Sequence, residues 1–265
     1  MSRSITLGQY LPGNSYVHRL NPRLKILALL LLLVLLFSLN SFAGLFSLLA
    51  MALLLLFSAR IPFRYFLKGL RPILYIVIFA LIIYLFFTKG GVVLLRIGSF
   101  TIESEGVREG FFVITRLITL IIFSLLVTLT TTPLSLTHGM SFFMKPLSKI
   151  GLPTDEVAMI MAIALRFIPT LMEESQRLMR AQVSRGADFE TGSIFRRAQN
   201  LVPLIVPLFV SAFRRADDLA LAMEARGYRL GAKRTRLHVD KVLPADLGTL
   251  IFVIILIAAA FYFKL

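Results

Sequence analysis

Leu24 to Leu39 is an almost unbroken run of leucine, valine and alanine, and after Asn40-Ser41 a second apolar run extends from Phe42 to Ala59. Two such runs back to back read as membrane spans rather than as helices of a soluble core. Together they are too long for one crossing, because roughly 20 apolar residues traverse the hydrocarbon core of a bilayer. The simplest reading is a helical hairpin that turns at Asn40-Ser41. Helices are also what lipid demands, since a spanning segment must satisfy its own backbone hydrogen bonds. Composition agrees: 57% of residues are hydrophobic and only 16% charged, against about half and a quarter in a soluble domain. The expectation is an all-α integral membrane protein.

Three more spans follow from the same criterion: Pro72 to Thr88, Gly110 to Thr132, and Leu247 to Phe263. They divide the chain into a lead-in with four transmembrane helices (1–132), a polar helical region (133–243) and a last transmembrane helix (244–265). Met1 to Gly8 holds one arginine and no apolar core, so no signal peptide is expected there and the first span is read as uncleaved. Gln9 to Lys25 is polar and basic. Pro12-Gly13 marks a turn, and Asn21-Pro22 reads as a helix start, with Asn as N-cap and Pro at the first helical position. His18 stands alone, which favours a surface or interfacial histidine over a metal ligand. Arg60, Arg64 and Lys68 repeat every fourth position, line one helix face, and with Arg71 form a basic stretch free of acidic residues. Residues Val92 to Ile102 are rich in β-branched and aromatic types around Gly98-Ser99, the pattern of a small β-hairpin outside the membrane. Arg116 lies inside the fourth span, where a charge either faces inward for function or snorkels to the interface; snorkelling is the favoured reading.

The net charge is +15. In a membrane protein such an excess marks cytoplasmic loops facing anionic lipid rather than a nucleic-acid site. Five spans with the N-terminus in the cytoplasm place the basic stretch from Arg60 to Arg71 and the helical coupling region 133–243 inside, and the uncharged Asn40-Ser41 turn and the C-terminus outside. Every loop then obeys the positive-inside rule.

Pro133 to Lys241 carries more than half of the 29 Lys and Arg residues. Met140 to Ile150 is a short amphipathic stretch with Lys145 and Lys149, broken at Gly151-Leu152-Pro153. Thr154 is placed to N-cap a helix with Asp155 and Glu156 in its first turn. That helix is apolar from Val157 to Met172 and charged from Glu173 to Arg185. Arg166 and Pro169 interrupt the apolar half, and the expectation is a kinked helix rather than a span. After a loop from Ala187 to Ser193, Ile194 to Arg226 repeats the design. Its apolar middle, Leu201 to Phe213, contains Pro203 and Pro207 and is too short to cross. Arg214, Arg215, Asp217 and Asp218 read as a solvated face with some ion pairing. Gly231 to Lys241 is a basic loop.

Both halves of this region end alike, in Ser184-Arg185-Gly186 and Ala225-Arg226-Gly227, with the arginines 41 residues apart. One Arg-Gly is an ordinary helix end: glycine tolerates the left-handed conformation, and a cation suits the negative end of the dipole. Two of them after matching helices are equally well read as a pair of prongs that grip a partner. Catalytic alternatives are poorly served. There is no cysteine and no tryptophan. No P-loop, HExxH or G-x-S-x-G pattern occurs. His18, His138 and His238 are scattered. Asp155-Glu156, Glu173-Glu174 and Asp217-Asp218 are neighbours on helices, where adjacent side chains diverge.

Three stretches resemble a known family. His18-Arg19-Leu20-Asn21-Pro22-Arg23-Leu24-Lys25, Leu165-Arg166-Phe167-Ile168-Pro169-Thr170-Leu171 with Glu173-Glu174, and Ala220 to Tyr228 with Ala225-Arg226-Gly227 are similar to segments of the transmembrane T component of energy-coupling factor transporters, the CbiQ-like family. Ser184 replaces the family's alanine in the first prong, and Asn21 replaces an aspartate. The resemblance implies a non-catalytic scaffold in the cell membrane of a prokaryote. In that reading Ser184, Arg185, Gly186, Ala225, Arg226 and Gly227 dock on two ATP-binding-cassette ATPases, which bind ATP and Mg, while this chain holds no cofactor. It also implies a small hydrophobic S component that binds a vitamin or metal ion. The rivals are a self-contained channel or secondary transporter, a membrane enzyme, and the permease of an ordinary ABC importer. The uniformly apolar spans count against the transport rivals, and the missing constellations count against the enzyme.

Overall fold

A computed structural model describes residues 10–97, 100–189, 193–229, 231–232 and 244–262. The Gly98-Ser99 turn, most of the basic loop before Lys241, and Phe263 lie outside the described residues. Within them the chain is almost wholly helical and divides into two compact units, 1–142 with 239–265, and 143–238.

The first unit is a helical bundle. A short helix α1 (Tyr16–Arg19) precedes α2 (Pro22–Ser38) and α3 (Phe42–Ser58), the expected hairpin. Asn21 caps α2 as anticipated, its side chain accepting the Arg23 N–H at 3.0 Å. Helix α4 (Phe63–Phe87) starts nine residues before the expected span, because Pro72 bends the helix, by 54°, without ending it. Arg60 is not on that helix face: it sits in the turn after α3 with a left-handed φ of 53°. The hairpin is present as β1 (Val93–Ile97) and β2 (Phe100–Glu103), antiparallel, with an irregularity between Val93 and Leu95.

Helix α5 (Ser104–Thr130) is the centre of this unit. It packs on α2, α3 and α4, and Ile122, Phe123 and Leu129 are buried in one cluster with Leu35, Leu36, Leu45 and Leu48. It begins six residues before Gly110, so Gly106 is helical. A Cβ there would lie 2.8 Å from the Tyr84 carbonyl oxygen. Gly106 and Gly110 are thus one turn apart on the face that meets α4, the small-xxx-small spacing that lets two helices approach closely in a membrane. Helix α5 is long and apolar enough by itself to cross a bilayer, and α4 joins it if its two bent segments count as one span. Helix α3 and residues 246–260 of α9 are shorter apolar helices; the 17 residues of α3 reach about 26 Å.

A buried polar knot closes one end of this bundle. Lys25 Nζ donates to the Thr130 carbonyl at 3.1 Å and to Thr131 Oγ1 at 3.2 Å, at the end of α5. Asp246, in the first turn of α9 (Pro244–Tyr262), accepts the Asn21 N–H at 2.8 Å. Asp246 and Lys25 are 1% and 5% exposed. A buried carboxylate or ammonium is tolerated only when hydrogen-bonded, so the three helix ends hold one another. His18 belongs to the same end and is no free surface group. It is half-buried, its ring bonded to the Leu11 carbonyl at 3.0 Å and to Ser15 Oγ at 2.7 Å. Helix α6 (Pro133–Met144) follows, with Phe142 under the Arg23 guanidinium at 5.2 Å.

In the second unit a 3-10 segment (Lys145–Ile150) ends at Gly151 and leads to α7 (Thr154–Ser184) and α8 (Ile194–Ala225). The N-cap of α7 is Pro153; Thr154 is already helical, buried and makes no side-chain cap, because the Pro153 carbonyl accepts the Val157 N–H. Both helices continue through their internal prolines, Pro169, Pro203 and Pro207.

Candidate functional site: two matched helix ends

Helices α7 and α8 are amphipathic and pack on each other along their apolar faces. Ile163, Phe167 and Leu171 of α7 face Ala212, Ala216 and Met223 of α8 across an apolar groove of about 270 Å³. At its polar edge Arg215 Nη2 donates to Glu174 Oε2 at 2.5 Å. The patch expected to be solvated is thus partly an interhelical tie. Glu173 pairs with Arg177 at 3.9 Å on the exposed side.

The two candidate motifs close their helices with the same bonds. At the end of α7 the Gly186 N–H donates to the Val183 carbonyl and the Ala187 N–H to the Gln182 carbonyl, both at 3.0 Å. At the end of α8 the Gly227 N–H donates to Glu224 and the Tyr228 N–H to Met223, both at 2.9 Å. This is the Schellman closure, with the glycine left-handed. Gly186 has φ 87° and Gly227 φ 77°, and neither meets any atom within 4 Å where a Cβ would stand. The glycines are therefore demanded by backbone conformation and not by crowding.

Arg185 and Arg226 are exposed at these ends. Ser184 and Ala225 precede them; the Ser184 hydroxyl turns back to the Arg180 carbonyl at 3.0 Å, so the serine offers its helix the same small surface as alanine. The matching extends inward. Glu174 and Arg215, which pair, each lie eleven residues before their prong arginine. Each arginine is thus about 16 Å along its own helix from the ion pair. Met223 links groove and prong: its side chain lines the groove while its carbonyl closes the Arg226 end.

Little else offers chemistry. Among the described residues no three His, Asp or Glu side chains are placed to hold a metal ion. Glu156, one of the acidic pair at the start of α7, accepts the Gly231 N–H at 3.3 Å. Arg116 reaches the α2–α3 turn, donating from Nη2 to the Leu39 carbonyl at 2.7 Å, with its guanidinium 4.7 Å from the Phe112 ring centroid. It satisfies a helix C-terminus.

The family model of the cobalt transport protein CbiQ matches residues 13–237. The chain belongs to the CbiQ family. It is 48% identical over 238 residues to a protein of Brevibacillus brevis, covering 90% of each chain. A Thermosediminibacter oceani protein is 48% identical, with 94% of each chain covered. One from Bacillus subtilis is 41% identical over the whole of both chains. All three relatives are named energy-coupling factor transporter transmembrane protein EcfT. As a CbiQ-family member this chain is a membrane protein of the transport class. The match spans both prongs, the His18–Lys25 segment and the groove.

Proposed function

We propose that this chain is the non-catalytic transmembrane coupling subunit of an energy-coupling factor importer. The observation that carries the proposal is the pair of identically closed helix ends, each presenting an exposed arginine beyond a helix that packs on the other. Arg185 and Arg226 dock on two ATP-binding-cassette ATPases, where ATP and Mg are bound. Guanidinium suits this role because it makes directional, multi-point hydrogen bonds to carboxylates and carbonyls. Movement of the ATPases on ATP binding and hydrolysis passes along α7 and α8, tied at Glu174–Arg215. The apolar halves of the two helices then present a surface to a small S component that carries a vitamin or metal ion, and reorient it. Five crossings, with the N-terminus in the cytoplasm and the C-terminus outside, place both prongs beside cytoplasmic ATPases and satisfy the positive-inside rule.

The composition of the native complex tests this reading. The tagged chain, purified from its own membrane in mild detergent, is expected to bring two ATPase subunits and one small, very hydrophobic protein. A chain that emerges alone and moves a solute across liposomes without ATP contradicts it.

A further inference from the structure

The hairpin between α4 and α5 is not used by the coupling reading, and its surface is anomalous for a segment in water. Val92, Val93, Leu94 and Leu95 are consecutive and all exposed, Val92 by 71% and Leu94 by 58%. Successive residues of a strand point to opposite faces, so β1 shows apolar side chains on both sides. Strand β2 packs against α4 and α5, which leaves β1 as the outer strand. The hairpin is held firmly at its base. Ser104 N–H donates to the Val92 carbonyl at 2.9 Å, Glu105 N–H donates to the Gly90 carbonyl at 3.2 Å, and the Gly90 N–H is bonded to the Glu103 carboxylate.

The exposed surface of β1 continues one that already exists. Ile76, Phe79, Ile83 and Phe87 recur at three-to-four spacing on α4 and are all exposed, Phe87 by 74%. This is the outward apolar face of a helix in a membrane protein, and Val92 comes five residues after its last member, Phe87. An exposed apolar strand edge invites a second strand. Here the pairing of β1 with β2 is irregular between Val93 and Leu95, so the bulge falls on the outer strand itself, and such bulges blunt edge-to-edge pairing. Unpaired backbone groups also forbid the hydrocarbon core. The one cation of the strand, Arg96, is exposed, as suits a side chain reaching lipid phosphate.

We propose that β1 lies in the interfacial layer of the bilayer, with Val92 to Leu95 at the boundary between headgroups and acyl chains and Arg96 at the phosphates. The hairpin is then a membrane-seated anchor that fixes the α4–α5 end of the bundle at a set depth. This rests on the membrane assignment and not on the coupling reading, nor on which leaflet is involved.

The chain has no tryptophan, so single-tryptophan variants give a site-specific signal. The full chain is reconstituted in phosphatidylcholine–phosphatidylglycerol vesicles with Leu94→Trp, with Val92→Trp as a second reporter. Phe79→Trp serves as the acyl-chain reference and Glu173→Trp as the water reference. The expected result is blue-shifted emission from both hairpin reporters, quenched by lipids brominated near the headgroup more than by lipids brominated near the chain end. Emission matching the Glu173→Trp reference, quenched by iodide and not by brominated lipid, overturns the proposal. So does a signal shielded from both quenchers, which places β1 in a protein–protein contact.

Discussion

The two units of this chain hold charged groups in opposite ways. In the first, Lys25 and Asp246 are buried and hydrogen-bonded between the ends of α2, α5 and α9. In the second, Arg185 and Arg226 stand exposed on closed helix ends, and the ion pair Glu174–Arg215 is only half-buried. A buried polar knot fixes a bundle; exposed charges on stiff helices are available to something else. The difference separates residues that hold the fold from residues offered to a partner, although both kinds are charged and sit near helix termini.

The largest effect on stability is expected in the knot. Asp246→Ala takes the Asp246 acceptor from the buried Asn21 N–H and removes the negative charge that favours the Lys25 ammonium, and should destabilise the bundle by on the order of 3 kcal/mol. Thermal unfolding of the full chain in detergent reads this, and an unchanged midpoint breaks the contrast between the units. Next comes Gly106→Val, whose side chain would meet the Tyr84 carbonyl of α4. A cost of about 1–3 kcal/mol is expected in the same assay. Gly227→Ala forces a Cβ into a left-handed backbone, for about 1–2 kcal/mol, and should loosen the Arg226 end without disturbing the bundle; hydrogen exchange at Tyr228 localises the change. The smallest effect belongs to Glu174→Gln, under about 1 kcal/mol for a half-exposed pair. A double-mutant cycle with Arg215→Gln measures it.

These residues also show what a sequence discloses. The α2–α3 hairpin was legible because lipid selects for length and apolarity, and Asn40-Ser41 is the one polar break in the run. Both prong helices ended where Arg-Gly said they would, since a left-handed terminus leaves glycine as its trace. The β-hairpin was visible in the β-branched run around Gly98-Ser99. The knot was not, because Asn21 and Asp246 are 225 residues apart and one carboxylate before an apolar run looks like any helix start. Gly106 was missed for a local reason: the charges of Glu103, Glu105, Arg108 and Glu109 mask the first turns of α5 as a loop. Pro72 misled in the other direction, since a bend and a helix start share the same residue. The arginines at 185 and 226 were found by pattern, but their equivalence rests on matched hydrogen bonds that only coordinates display.

The central claim is that Arg185 and Arg226 belong to the exposed class and act on a partner. The direct measurement is ATPase capture by the purified full chain carrying Arg185→Glu and Arg226→Glu together, with its thermal midpoint recorded in parallel. The account predicts an unchanged midpoint and loss of both ATPase subunits from the complex. Retention of both ATPases by a chain that is folded and carries both reversals would contradict it.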